Sequence, residues 1–196
     1  MNFAVEFYAN LLRGALFLAI IFHLIKRSYK PVIPAVSAFF LTYLLAALEY
    51  FFAYRIDALG GILYLTIIVM ALYLGSALKF YDKLRWWDWV IHFLSGILFV
   101  SVGIALAATV AGLSLISVLI FSFTLSVTLH VVWELLEYGA DCLLRTDNQR
   151  WQKRSPARNH QPKLAAQPAG LVDTMNDTLI CILGASTACA AWFFVL

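Results

Sequence analysis

An all-α integral membrane bundle of six transmembrane helices is the fold class that this sequence predicts, on three observations. Of the 196 residues, 63% are hydrophobic and 13% charged, with a mean hydropathy of +0.84, too apolar for a water-soluble domain of this length. Apolar stretches of the ~20 residues needed to cross a bilayer occur six times. Lys and Arg collect in alternate connections, as they do in cytoplasmic loops.

The first span covers residues 3–25. It has no basic region before it and no small-residue cleavage site after it, so it reads as a retained helix and not a removable signal. Lys26, Arg27 and Lys30 follow it. The second span, residues 32–54, carries one acid, Glu49. The third, residues 59–78, is followed by Lys79, Lys83 and Arg85. The fourth, residues 89–109, opens beside Trp86, Trp87 and Trp89, which fit an aromatic belt at the membrane surface. The fifth covers residues 113–136 and the sixth residues 171–195. Between these last two lie Arg145, Arg150, Lys153, Arg154, Arg158 and Lys163. Twelve of the 14 basic residues thus fall on one side of the membrane. Arg55 alone occupies a connection on the other side, and Arg13 lies within the first span. Both termini are therefore expected on the non-cytoplasmic side.

The chain reads as a single transmembrane domain, residues 1–196, containing a mobile basic cytoplasmic loop at residues 144–170. That loop is rich in Asn, Gln, Pro, Arg and Lys and has too few apolar residues to pack. It serves as a positive-inside anchor or as a basic surface that draws anionic head groups, at about 1 kcal/mol per Lys or Arg. The net charge of +3 follows from this topology. With no nucleic-acid motif present, the expected partners are membrane lipids and not nucleic acid.

Several chemistries are excluded. Cys142, Cys181 and Cys189 have no CxxC spacing, which argues against disulfide frameworks, zinc ribbons and thioredoxin-like redox, and leaves them as packing residues. Walker, GxGxxG, GxSxG and HExxH motifs are absent. No clear internal repeat points to an inverted-repeat transporter.

Ionisable residues on the last three helices carry the functional signal. At 100° per residue, His130, Glu134, Glu137 and Asp141 fall at about 0°, 40°, 340° and 20°, a single narrow stripe. On the fourth helix Asp88, His92 and Ser95 share a face, and the sixth begins with Asp173, Asn176 and Asp177. Two imidazoles, six carboxylates and a carboxamide thus meet in the cytoplasmic half of the bilayer, with no Lys or Arg inside those spans. Such groups persist near hydrocarbon only when they pair, protonate, hold an ion or line a wet cavity.

Three agents can neutralise that charge: a divalent metal, protons on carboxylates, or basic side chains folding back from the long loop. Imidazole mixed with carboxylate suits Mn, Fe or Zn better than Ca or Cu(I). The metal reading takes His92, His130, Glu134 and Asp177 as ligands, with Glu137 or Asp173 as general base. Blander roles compete for some residues. Asp173 can cap the sixth helix, Asp141 can be a solvated acid among head groups, and His23 can snorkel at the end of the first span. Glu49 can pair with Arg55 or Arg13.

The stretches SFTLSVTLHVVWELLEYGADCLLRTDNQ and GLVDTMNDTLICILGAS, with DWVIHFLSGILF upstream, resemble the YjdF-like bacterial inner-membrane proteins and, more remotely, the VanZ-like family. The likeness covers the last three helices, somewhat over half the chain. It implies a small multi-pass protein of the bacterial inner membrane whose shared polar residues map onto His92, Glu134, Glu137, Asp173 and Asp177. His130 departs from it, standing where the resemblance leads one to expect a small residue such as Gly.

Three functions fit these residues. The first is a metal-dependent enzyme acting on a lipid or polyprenyl head group at the cytoplasmic surface. The second is a non-enzymatic protein that binds or transports a cation, a proton or an amphiphile between helices. The third is a scaffold whose polar cluster fixes helix packing through hydrogen bonds of about 0.6 kcal/mol each.

Overall fold

The computed structural model describes residues 2–52, 55–144, 149 and 168–195, and all of its regular structure is helical. α1 (Phe3–Ile25) starts where the Asn2 side chain accepts a hydrogen bond from Ala4 N at 3.0 Å, satisfying one of the orphan donors of a helix start. It ends in a turn at Arg27, whose φ of 53° lies in the left-handed region. α2 (Val32–Phe52) follows. α3 (Ala58–Ile68) is capped by Asp57, whose side chain accepts from Gly60 N. It runs directly into a π-helical segment, Val69–Ala77. A single turn, α4 (Phe80–Lys83), leads to α5 (Trp87–Ala107), α6 (Leu115–Leu144) and α7 (Ala169–Val195).

Six of these stretches are long and apolar enough to cross a membrane, with α3 and its π-helical continuation forming one of them. This is the predicted architecture, and two boundaries differ from expectation. α6 runs on to Leu144 and not to residue 136, because the residues after Glu134 are mostly strong helix formers with no proline among them. α7 begins at Ala169, which sets Asp173 a full turn inside the helix, so Asp173 is not its N-cap. Almost all of the long basic connection lies outside the described residues.

The helices pack as two three-helix groups. α1, α2 and α3 close around Val5, Ala9, Leu45 and Leu65. α5, α6 and α7 pack around Val100, Ala185 and Ala188. α5 is the central element of the second group, making its most extensive contacts with α7 and then α6, while α3 joins the groups by lying against α5. The α5–α7 contact depends on glycine. A Cβ on Gly96 would collide with the Cys181 carbonyl oxygen, and one on Gly184 with that of Phe93. Small residues let membrane helices approach this closely and gain the dispersion contacts that hold them together. Facing side chains on the two helices are thereby brought within a few ångströms.

Two sequence expectations change here. His23 does not snorkel: it is buried, with Nε2 3.2 Å from Tyr73 Oη on the π-helical segment. Of the three tryptophans assigned to the belt, Trp86 and Trp89 are exposed, but Trp87 is buried and donates its Nε1–H to the Met70 carbonyl at 3.3 Å.

Candidate metal centre

The cluster is assembled by one short stretch from each helix of the second group. α5 enters with Asp88 in its first turn and His92 one turn later. α6 runs back beside it and presents His130 and Glu134, also one turn apart. α7 adds Asp177, with Thr174 and Thr178 on neighbouring positions of the same face. Side chains separated by as many as 89 residues in sequence thus converge at one end of the bundle.

His92 lies at the centre and is 5% exposed. Its Nε2 is 3.5 Å from Asp88 Oδ1 and 3.7 Å from Asp177 Oδ2; these contacts are long for hydrogen bonds, and they are ion pairs only when the ring is protonated. The His130 ring stands edge-on to it, with centroids 5.2 Å apart and planes at 87°. His130 is 1% exposed. Its Nε2 lies 3.2 Å from Thr178 Oγ1 and 3.7 Å from Glu134 Oε1. Thr178 is itself held by donating to Thr174 O at 2.7 Å, which fixes the hydroxyl against the ring.

Two features of the surrounding shell hold this arrangement in place. Ser95 Oγ donates to the His92 carbonyl at 2.8 Å. Ser126 Oγ, fully buried, donates to the Gly96 carbonyl at 3.1 Å, tying α6 to α5 one turn below His92.

Two carboxylate oxygens are anomalous. Glu134 Oε1 and Asp177 Oδ1 are buried with no hydrogen-bond partner among the described residues. Burying an acidic oxygen without a donor costs several kcal/mol when the group is charged, and the great majority of buried polar atoms have a partner. Here both orphans adjoin imidazoles, in a region where no Lys or Arg is found on α5, α6 or α7 among the described residues.

The ligand atoms fall into two groups, each mutually within 4.8 Å: His92, His130 and Glu134 in one, Asp88, His92 and Asp177 in the other. All four residues expected as ligands are therefore brought together, joined by Asp88. Sequence reading grouped Asp88 with His92 on one helical stripe without giving it a ligand role. The two expected bases belong to neither group. Glu137 is half-buried, and its Oε1 accepts from Trp133 Nε1 at 2.8 Å. Asp173 is half-buried one turn before Asp177. Asp141 is buried and not solvated, with its Oδ2 accepting from Gln149 N at 3.0 Å. Gln149 Nε2 also reaches Thr174 Oγ1 at 3.2 Å, so this residue bridges α6 and α7. Thr174, Thr178, Ser126 and Gln149 were not anticipated as site residues. The two threonines had a signal in sequence, since residues 173, 174, 177 and 178 recur at helical spacing beside the acids.

Six apolar helices with a polar cluster enclosed among three of them define a multi-pass membrane protein. Residues 8–196 match the family described as "Predicted membrane protein (DUF2238)", and the chain belongs to that family. The match extends through both helix groups and is not confined to the last three helices. No curated protein and no solved structure matches the chain.

Proposed function

We propose that this protein binds a divalent transition metal (Mn, Fe or Zn) in its second helix group and that the ion serves chemistry on a lipid or polyprenyl head group at the adjoining membrane surface. The observation that carries the metal reading is the pair of buried, partnerless oxygens, Glu134 Oε1 and Asp177 Oδ1, beside two imidazoles. A cation bound beside such an oxygen gives it a partner and offsets the cost of burying its charge. The donor set of nitrogen and carboxylate oxygen is the one these metals prefer. The spacing is also appropriate. Metal–donor bonds of 2.0–2.2 Å place adjacent donors about 3.4 Å apart, against 3.5–3.7 Å between the ring nitrogens and carboxylates here.

The head-group reading is supported by depth and charge. Glu134 is the twentieth residue of α6, about the number that spans the hydrocarbon, so the cluster lies close to one membrane face. The positive-inside rule assigns that face to the cytoplasm, with both termini opposite, because the sequence joining α6 to α7 carries six Lys and Arg. The resemblance to the YjdF-like and VanZ-like inner-membrane proteins rests on polar residues of these same three helices. A bound ion there supplies Lewis-acid polarisation of a phosphoryl or carbonyl oxygen. In this reading His92, His130, Glu134 and Asp177 hold the ion, and Glu137 and Asp173, lying toward the surface, are the bases.

Metal analysis by ICP-MS tests this on untagged protein purified in mild detergent without chelator. Stoichiometric metal in the wild type, lowered in each of Glu134→Gln and Asp177→Asn at unchanged helicity, is the expected result. A well-folded wild type that takes up no metal from Mn, Fe or Zn solutions overturns it.

A further inference from the structure

The cluster contains two ligand groups where a single closed site would need one. Asp88, His92 and Asp177 approach one another, as do His92, His130 and Glu134, yet no four of these five residues share mutual ligand distance. Each group includes one of the two residues with an orphan oxygen, Asp177 in the first and Glu134 in the second. Asp177 is 3% exposed and Glu134 6% exposed, so neither oxygen is satisfied by the protein surface. His92 alone belongs to both groups. The groups lie on either side of His92, one formed by α5 and α7 and the other by α5 and α6. Asp88 lies one turn from His92 toward the start of α5, and Glu134 lies one turn from His130 toward the same end on the antiparallel α6, so the two groups span the same depth.

We infer that the cluster provides two overlapping positions for one divalent cation, with His92 as the shared ligand. One position, Asp88–His92–Asp177, offers one nitrogen and two carboxylates. The other, His92–His130–Glu134, offers two nitrogens and one carboxylate. This inference rests on the metal reading above and deepens it: the ion passes between an oxygen-rich and a nitrogen-rich position without leaving His92. Hard, hydrated cations are accepted at the oxygen-rich position, and the nitrogen-rich one selects for metals that favour imidazole. The two histidines are edge-on at 5.2 Å, a separation that lets an ion held by His92 add the second ring in a step of a few ångströms.

Cobalt(II) added to metal-free protein in detergent separates the possibilities, since its visible absorption reports ligand number and type. The wild type is expected to bind one cobalt per chain. Asp88→Asn with Asp177→Asn should retain cobalt with the spectrum of a nitrogen-rich, low-coordinate site. His130→Gln with Glu134→Gln should retain it with the weaker absorption of an oxygen-rich, higher-coordinate site. Both should bind about tenfold or more weakly than the wild type, and His92→Ala should bind none. Circular dichroism and melting accompany each variant. Where a double variant fails to fold, the single changes Asp88→Asn and Glu134→Gln replace it, and their spectra should shift in opposite directions. If either folded variant loses cobalt as completely as His92→Ala, or if both spectra coincide, the ligands form one shell and the inference fails. Two cobalt ions per wild-type chain would also overturn it, as independent sites. A wild type that binds no cobalt, manganese, iron or zinc overturns the metal reading itself, a result distinct from either.

Discussion

The two helix groups use polar residues in opposite ways. In the first, the polar side chains pair locally. Arg13, in the middle of α1, donates through Nε to Thr42 Oγ1 and through Nη2 to Thr42 O, both at 2.9 Å, and through Nη1 to Asn10 Oδ1 at 2.9 Å. Its guanidinium also lies 3.8 Å above the Tyr43 ring centroid. His23 meets Tyr73, Tyr8 Oη meets Thr66 Oγ1 at 3.1 Å, and Tyr64 donates to the Leu41 carbonyl. These are pairwise contacts of the kind that fix helix packing. In the second group the polar residues converge on one histidine, are buried more deeply, and leave acidic oxygens without donors. Local satisfaction marks structure, whereas shared, incomplete satisfaction marks a place prepared for something else.

The comparison can be broken most severely at the glycines. Gly96→Val should separate α5 from α7, because its side chain meets the Cys181 carbonyl and the Ala185 backbone, neither of which can turn aside. Overpacking of this kind costs about 1–3 kcal/mol or more, and here it should also weaken metal uptake by pulling Asp177 away from His92. Melting and metal content measured on one preparation would show whether the two losses coincide.

A smaller and more selective effect is expected at Thr178. Thr178→Val removes the hydroxyl that meets His130 Nε2 while keeping the side chain's shape. Because that hydroxyl gives its hydrogen to Thr174 O, it accepts from Nε2–H, the proton a metal must displace, and its loss should raise metal affinity. Competition against a coloured chelator would measure this, and melting of the metal-free protein should barely change. Equal affinity in the two proteins would remove Thr178 from the site.

The first group supplies the control. Arg13→Met deletes three hydrogen bonds and a ring contact, for a loss of about 1 kcal/mol in detergent. Tyr73→Phe removes one hydrogen bond to His23 and should cost about 0.6 kcal/mol. Neither should alter metal content, and a change in it would show that the groups are not functionally separate.

Much of this was legible in the sequence. The six spans follow from hydrophobic length alone, and the stripe of His130, Glu134, Glu137 and Asp141 follows from helical geometry. The sequence could not say which acids share an imidazole, because that depends on how closely α5 and α7 approach. Gly96 and Gly184 set the approach, and in a single sequence they look like any other glycines in an apolar run. Asp141 misled in the other direction, since an acid near a helix end is usually solvated, whereas Gln149 folds over this one. The π-helical segment left no sequence signal at all, because VMALYLGSA suits an ordinary helix equally well.

The most direct test of the central claim is X-ray absorption at the zinc edge on zinc-loaded protein in detergent. A nitrogen/oxygen shell near 2.0–2.1 Å with the outer-shell scattering of imidazole, lost in His92→Ala, is the predicted result. An all-oxygen shell that survives His92→Ala unchanged would contradict it, moving the ion elsewhere and returning the buried histidines to a packing role.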